Sequence, residues 1–430
     1  MFALPVTLGA FGLILVLARF RVPLGAAILA GSMAVGLALG LGGVGLAQTA
    51  LAGATAPRSV GLALITILLL GLSILMRESG QLEEIVSLAH AVLRRPAVTM
   101  MAMPALIGLL PMPGGAIFSA PMVETASGRA DVPRGLLSAV NYWFRHVWEY
   151  FWPLYPGVIL AMALTELSIP SWSRLMLPAS LFMFLGGLLM LRGTHPDLHA
   201  KSVAAPAGTK RKLLRATGAI WLILLIWVAT FLPANYWLGS RPAGSLLGAI
   251  PRYGPLILGL LGSIFWTLHT RKLGAKSLRK AFGQPSAYTM AVLILSIMIF
   301  QLTLEEVRAP QRIAEELQGI HVPMILVVAI LPFIAGFVTG VAVGFVGTSF
   351  PIVLNLVGVS ETAGAVWMYI PLAYGFGHMG QMLSPLHVCQ ILSNKYFGTT
   401  YGPVYRYLLP SALLTATLNT GYFLLLRQWG

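Results

Sequence analysis

Arg145, His146 and Glu149 fall within five residues of one another in "RHVWEYFWPLYP" (145–156), inside an otherwise apolar run. Their types admit several chemistries. Arg145 and Glu149 are four apart, so on a helix they share a face and can pair. The Arg145 guanidinium can equally bind an anion. His146 suits substrate binding, proton relay near neutral pH, or capping of broken backbone. His146 and Glu149 could also begin a metal site. However, no second His follows at the spacing of H-E-x-x-H, and the single cysteine, Cys389, excludes an internal disulfide or a Cys-based metal cluster. A second polar set, His378, Gln381, Ser384 and His387, lies in another apolar stretch. Ionisable groups at membrane depth are costly and are usually functional.

The elements that must position these residues are membrane helices. The chain of 430 residues is 57% hydrophobic and 10% charged, with a mean hydropathy of +0.83. Soluble domains carry about 25% charged residues. Apolar windows long enough to span a bilayer recur throughout. We place ten crossings near 3–18, 24–46, 60–76, 134–163, 172–191, 213–232, 252–269, 285–302, 361–394 and 404–426. The first run has no Lys or Arg ahead of it and no clear cleavage site, so it reads as a retained span and not a signal peptide.

The net charge of +15 reflects cytoplasmic loops and not a nucleic-acid partner. With the N-terminus outside, only Arg58, Arg174, Arg241, Arg252, Arg308, Arg312 and Arg427 of the 28 basic residues fall in outward loops, and Arg145 stays in the membrane. The remainder fall inside, which orients both termini outward.

Two apolar segments do not fit the spanning-helix template. Residues 97–124 contain Pro104, Pro111, Pro113, Gly114, Gly115 and Pro121; residues 322–354 contain Gly336, Gly340, Gly344 and Gly347. Proline inside a helix costs about 3 kcal/mol and glycine about 1. Broken backbone at membrane depth survives only where protein or a watery cavity satisfies it. Each segment is therefore expected to be a re-entrant hairpin, with tips at "PMPGG" and "GFVGTS"; the alternative is a kinked helix packed through small residues.

The two hairpins are related. "FSAPMV" (118–123) matches "TSFPIV" (348–353), placing Ser119 on Ser349 at an offset of 230. "HVWEYFWPLYP" matches "HMGQMLSPLHV" (378–388), placing His146 on His378 and Glu149 on Gln381 at an offset of 232. "QLEEI" (81–85) resembles "TLEEV" (303–307). Matches in one order at a nearly constant offset indicate an internal repeat. The expected organisation is a first repeat over 1–192 (hairpin 97–124, broken crossing 134–163), a basic linker over 193–212, and a second repeat over 213–430 (hairpin 322–354, broken crossing 361–394). Five crossings per half invert the second repeat, which is the architecture of secondary transporters.

Ser119 and Ser349 each precede a proline by two residues and are expected to N-cap the second arm of each hairpin. The positive ends of those arms would face an anion. The substrate-binding set is then Gly114, Gly115, Ser119, Thr348, Ser349, Arg145 and Ser384, and the coupling set is His146, Glu149, His378 and Gln381. The backbone of Pro113, Gly114, Gly347 and Thr348 could hold a coupling Na+. Most of the aromatic residues at 142–155 are expected to be packing or belt residues.

"LLPMPGGAIFSAPMVE" (109–124) and "GHMGQMLSPLHVC" (377–389) resemble the domain-of-unknown-function 401 family of prokaryotic integral membrane proteins, across essentially the whole chain. That family is grouped with the ion-transporter superfamily of divalent-anion/sodium symporters and citrate, gluconate and lactate permeases. The resemblance implies a homodimer in the inner membrane, in which a transport domain carrying both hairpins moves as an elevator against a fixed scaffold. The sodium/dicarboxylate members carry Ser-Asn-Thr motifs at both tips. Here only Ser119 and the Thr348–Ser349 pair stand at comparable positions, and the Asn is missing from both.

The expected protein is an all-α polytopic secondary transporter of a small anionic solute, a carboxylate above all, coupled to Na+ or H+ and needing no other cofactor. A cation/proton antiporter is the alternative. An intramembrane enzyme is remote, and the sequence shows no Walker A motif for ATP-driven transport.

Overall fold

The computed structural model describes residues 3–93, 95–109, 111, 115–128, 132–192, 208–242, 245–317, 323–360 and 365–429, and their regular structure is all helix. The first helices are α1 (Ala3–Arg19), α2 (Leu24–Ala38), α3 (Gly42–Thr55), α4 (Pro57–Glu78) and the amphipathic α5 (Gln81–Val92). The first hairpin is α6 (Pro96–Gly108) and α7 (Ala116–Ser127). A broken pair, α8 (Arg134–Arg145) and α9 (Pro156–Thr165), precedes α10 (Ile169–Met190). The second half runs α11 (Thr209–Ala216), α12 (Gly218–Leu238), α13 (Leu246–Thr270), α14 (Ala275–Phe282), α15 (Pro285–Glu306) and α16 (Ala309–Leu317). It closes with the hairpin α17 (Met324–Thr339) and α18 (Ala342–Ser360), the broken pair α19 (Val366–Met382) and α20 (Val388–Phe397), and α21 (Tyr401–Trp429).

Local chemistry sets many of these boundaries. Proline opens α4, α6, α9 and α15, where its missing N–H costs nothing. Ser168 and Ser245 cap α10 and α13 by accepting the N–H of Ser171 at 3.4 Å and of Gly248 at 3.0 Å. Helices α4, α10, α12, α13, α15 and α21 are long and apolar enough to cross a membrane, and the chain is a multi-pass membrane protein.

Several expectations need correction. The span 24–46 is two helices, broken at Leu39–Leu41 between α2 and α3. "QLEEI" opens α5 whereas "TLEEV" straddles the end of α15. The helix ends correspond instead as Glu78 with Glu306, an offset of 228, because each is followed by a short amphipathic helix.

The second hairpin turns at Gly340, φ +64°, and not at "GFVGTS". Residues 344–349 lie in the body of α18. Interior prolines do not set these breaks: Pro104, Pro121, Pro332 and Pro351 all lie within continuous helix. Membrane helices tolerate such prolines where they pack against other helices. Pro113, Gly114, most of the linker (193–207) and the start of the second broken crossing (361–364) lie outside the described residues.

Packing regroups the chain across its two halves. Helices α1 to α4 pack with α12, α13 and α15: α2, α3 and α4 lie on α15, and α4 on α13. The hairpins and broken pairs pack with α10 and α21: α6 on α8, α17 on α19, α18 on α9, α8 on α20 and α21.

Candidate functional site

The site forms where the broken pairs meet the hairpins. Helix α8 ends at Arg145, and residues 146–155 follow as turns before Pro156 opens α9. Helix α19 likewise ends at Met382, and the break 383–387 contains Pro385. Gly377 and Gly380 lie inside α19, ahead of the break.

Two tyrosines tie the broken pairs together reciprocally. Tyr142 Oη donates to the Met382 carbonyl at 3.1 Å and the Gln381 carbonyl at 3.4 Å. Tyr374 Oη donates to the Glu149 carbonyl at 2.7 Å. The two tyrosines are 232 residues apart (142 and 374), as are Glu149 and Gln381, so each half closes the broken end of the other. The Met382 carbonyl ends α19 and has no helical donor of its own. The offset of 232 seen at His146 and His378 also aligned these tyrosines, so they were findable in the sequence.

The aromatic run proves to hold the first hairpin. Trp148 Nε1 donates to the Ala105 carbonyl at 2.8 Å, Trp152 Nε1 to the Leu109 carbonyl at 3.0 Å, and Tyr155 Oη to the Gly108 carbonyl. Three donors from the break thus satisfy the end of α6. A buried carbonyl left unpaired costs about 1–3 kcal/mol. The triple variant Trp148→Phe/Trp152→Phe/Tyr155→Phe is expected to speed amide hydrogen exchange over residues 96–115 while leaving α12 and α13 unchanged. Mass spectrometry of the detergent-solubilised protein checks this; unaltered protection of α6 would refute it.

Arg145 is 3% exposed and lies over the start of α7. A Cβ on Gly115, the residue before α7, would overlap its guanidinium, and one on Gly108 would overlap its carbonyl oxygen. Glycine is therefore required at both positions by close approach. Asn141 Nδ2 donates to the Ala116 carbonyl at 3.0 Å and to Ser393 Oγ at 3.1 Å, linking α7, α8 and α20. On the other side, a Cβ on Gly157 would stand 2.6 Å from the Ala342 Cβ, so the starts of α9 and α18 also meet. The starts of α7 and α20 thus lie at Arg145, and those of α9 and α18 lie against each other. The first N–H groups and positive dipole ends of α7 and α20 favour anions at Arg145.

Beside Arg145 lies a buried polar cluster. His146 Nδ1 donates to the Tyr142 carbonyl at 2.7 Å, since a carbonyl only accepts. Its Nε2 is 3.1 Å from His387 Nε2 and 3.8 Å from Glu149 Oε1. Glu149 Oε2 accepts from Gln381 Nε2 at 2.9 Å and lies 3.8 Å from His378 Nδ1. The His378 ring lies tilted against that of Tyr150, with centroids 4.6 Å apart. The Cys389 thiol lies against His146 and Arg145. The donor atoms of His146, His387 and Cys389 all fall within 4.8 Å of one another. The single cysteine excludes a cluster of thiols, but not this mixed set. The shared helix face expected for Arg145 and Glu149 does not exist, because the helix ends between them.

The structure therefore brings together Arg145, His146, Glu149, His378, Gln381 and Gly115 from the expected set. It adds His387, Cys389 and the tyrosine pair. Sequence spacing places His387 one turn into its break, but nothing in the sequence pairs it with His146.

The serines have other roles. Ser119 is inside the first turn of α7, capped by no side chain, and its hydroxyl donates to the Ala116 carbonyl at 3.4 Å. Thr348 and Ser349 donate to the Gly344 and Phe345 carbonyls at 2.8 and 2.6 Å, within α18. These serines are not N-caps, because both arms begin earlier than the prolines suggest. Ser384 accepts the Leu386 N–H at 3.2 Å, bracing its own turn against Gly340. Gly347 packs towards Ile297 of α15, and its carbonyl faces Pro351, which has no N–H to donate. Of the expected Na+ ligands, Thr348 lies in continuous helix, while Pro113 and Gly114 lie outside the described residues.

No curated protein matches the sequence. Among solved structures, a crystal structure of the Alcanivorax borkumensis YdaH transporter, described as having an unusual topology, is similar with a TM-score of 0.61. It is 18% identical, and the match covers 90% of this chain and 89% of that one, a likeness of fold. The family model described as "Protein of unknown function (DUF401)" matches residues 3–204 and 255–426. With most of its length matched, the chain belongs to the DUF401 family.

Proposed function

We propose that this protein is a secondary active transporter of a small anionic solute, an organic carboxylate, driven by Na+ or H+. The observation that carries the reading is the start of α7 at the buried Arg145 guanidinium, with the start of α20 beside it at Cys389. Helix ends at a membrane centre, formed by discontinuous helices, are a recurrent way for transporters to hold an anion. The fold likeness to a transporter supports the same reading.

The reciprocal bonds of Tyr142 and Tyr374 support two inverted repeats, 1–192 and 213–430, joined by the basic linker. The regrouping of helices supports an elevator: α1 to α4, α12, α13 and α15 form the scaffold, and the hairpins and broken pairs move. The protein is then a member of the ion-transporter superfamily and a homodimer in a prokaryotic inner membrane, with both termini outside. Arg145 and the α7 terminus bind the carboxylate. Glu149, Gln381 and the neighbouring histidines form the coupling set. A Na+ can be held at the Gly347 carbonyl, which Pro351 leaves without its helical donor.

Counterflow in proteoliposomes tests the reading. Vesicles loaded with an unlabelled mono- or dicarboxylate are expected to accumulate the labelled acid from outside, faster with an inward Na+ or H+ gradient. No counterflow across a panel of mono-, di- and tricarboxylates would overturn it.

A cation/proton antiporter is the second reading, favoured by the buried Glu149 carboxylate between His146 and His378. Its signature is Na+-dependent proton release in a pH-dye assay with no organic anion present.

A further inference from the structure

The anion reading gives Cys389 no task, yet this thiol stands with His146 and His387 as one set of buried donors. We propose that they are a binding site for a soft d10 metal cation, Zn2+ or Cu+. A ligand set of two imidazoles and one thiolate suits such ions and not Mg2+ or Ca2+, which take oxygen.

Four observations carry this. The three ligand atoms lie within 4.8 Å of one another. Two imidazole nitrogens on a tetrahedral Zn2+ stand about 3.3 Å apart, and a nitrogen and a sulfur about 3.5 Å, from bonds of roughly 2.0–2.3 Å. The His146 and His387 Nε2 atoms are already 3.1 Å apart, so only the thiol must draw in, by about 1.3 Å at most.

His146 is also pre-oriented. Its Nδ1–H is spent on the Tyr142 carbonyl at 2.7 Å, which leaves Nε2 as the lone-pair nitrogen turned towards His387. A backbone carbonyl on the far nitrogen is the usual support of a metal-bound imidazole. His387 Nδ1 is buried with no hydrogen-bond partner among the described residues, so its ring is free to bind through Nε2 with the proton on Nδ1. All three residues are at least nine-tenths buried, and no exposed competitor draws them apart.

Charge is balanced locally. Cys389 binds as the thiolate, and Glu149 lies 3.8 Å from His146 as counter-charge to Arg145. The sum over thiolate, carboxylate, guanidinium and ion is zero for Cu+ and +1 for Zn2+. Either is tolerable in a buried site in a way that an isolated dication is not. His146 comes from the α8–α9 break, His387 from the α19–α20 break and Cys389 from the first turn of α20, so the ion would cross-link the two broken pairs.

The site is tested on the full-length chain in nanodiscs, with any polyhistidine tag removed and metals stripped by chelator. Co2+ serves as the optical probe for Zn2+; Cu+ is titrated in competition with bicinchoninate. The wild type is expected to bind one ion per chain. With Co2+ it should show tetrahedral d–d bands and a thiolate-to-cobalt charge-transfer band. Cys389→Ser should abolish the charge-transfer band, and His387→Gln should weaken binding at least about 10²-fold.

Bound metal should also protect Cys389 from alkylation by a membrane-permeant maleimide in the wild type, but not in His387→Gln. Size-exclusion profiles matching wild type establish that the variants are folded. Cobalt and copper binding unchanged in Cys389→Ser, or a wild-type chain that takes up neither ion, would overturn the assignment. These readouts do not involve transport, so they stand or fall separately from the anion reading.

Discussion

Alanine at Gly336 is expected to lower the thermal midpoint of the solubilised protein by several degrees, and Gly336→Ala/Gly380→Ala to lower it further. Helices α17 and α19 cross with their backbones in contact. A Cβ on Gly336 would overlap the Gly377 carbonyl oxygen and lie 2.8 Å from the Gln381 amide nitrogen; one on Gly380 would overlap the Phe333 carbonyl. Two effects oppose each other. Alanine is the better helix former, by about 1 kcal/mol. Overpacking costs about 1–3 kcal/mol where neighbours can yield. Here the neighbours are backbone atoms of a packed helix, which cannot rotate away, so overlap wins.

Gly9→Ala in α1 supplies the contrast. Nothing lies within 4 Å of its Cβ position, so that variant should be neutral or slightly more stable. Differential scanning fluorimetry on the three variants decides the matter. A Gly336→Ala protein as stable as wild type would mean that the α17–α19 crossing is not held as described. Because α19 delivers His378 and Gln381 to the cluster, the same variants should also disturb the site.

The second large effect is expected at Arg145. On the proposed anion-transport reading, Arg145→Gln should reduce carboxylate uptake by roughly 10²-fold or more, equivalent to the 2–5 kcal/mol that follows truncation of one partner in a buried, hydrogen-bonded charge pair. Arg145→Lys should recover only part of this. The ammonium keeps the charge but not the planar fork that meets a carboxylate through two parallel bonds.

The main-chain contact of Arg145 with Gly108 does not depend on the side chain, so the fold of α8 against α6 should persist in both variants. Uptake is therefore compared at equal amounts of folded protein, verified by size exclusion. A Gln variant that transports at the wild-type rate would remove Arg145 from the substrate site and leave the helix termini alone to hold the anion.

Much of the architecture was legible because membrane helices announce themselves. The apolar runs of α4, α10, α13, α15 and α21 appear in the sequence at nearly their observed bounds. The breaks at 146–155 and 383–387 were legible from Pro153, Pro156 and Pro385, whose rings cannot continue a helix without loss. What misled was using proline and serine to set the hairpin tips. Pro121 and Pro351 sit inside their helices, and neighbouring packing overrides their local cost. The second turn falls instead at Gly340, where a left-handed φ is needed. The α2–α3 break was hidden by continuous apolarity, since hydropathy does not distinguish a turn from a helix; Gly40 and Gly42, both at positive φ, mark it.

The site was legible in part, for a similar reason. Repetition at an offset of 232 marks His146 with His378 and Glu149 with Gln381, and it would have marked Tyr142 with Tyr374. Contacts that do not obey the repeat carry no such mark. His146 meets His387 and not its own counterpart, and Cys389 joins them from the next helix. Likewise Trp148, Trp152 and Tyr155 read as belt residues, because a donor indole looks the same in sequence whether its acceptor is lipid-facing water or a helix end 43 residues away.

The sequence by itself determined the all-helical membrane character, the broken segments and the pairing of the two polar stretches, because these follow from local hydropathy, backbone restriction and repetition. The tertiary structure decided which groups meet. Helices of the two halves interleave, α1 to α4 packing with α12, α13 and α15, and the hairpins with the broken pairs. Close approach through glycine, cross-half hydrogen bonds to orphan carbonyls, and the gathering of Arg145, Glu149 and three metal-binding side chains all depend on that interleaving. They are distances between residues far apart in the chain, and no local property of either partner encodes them.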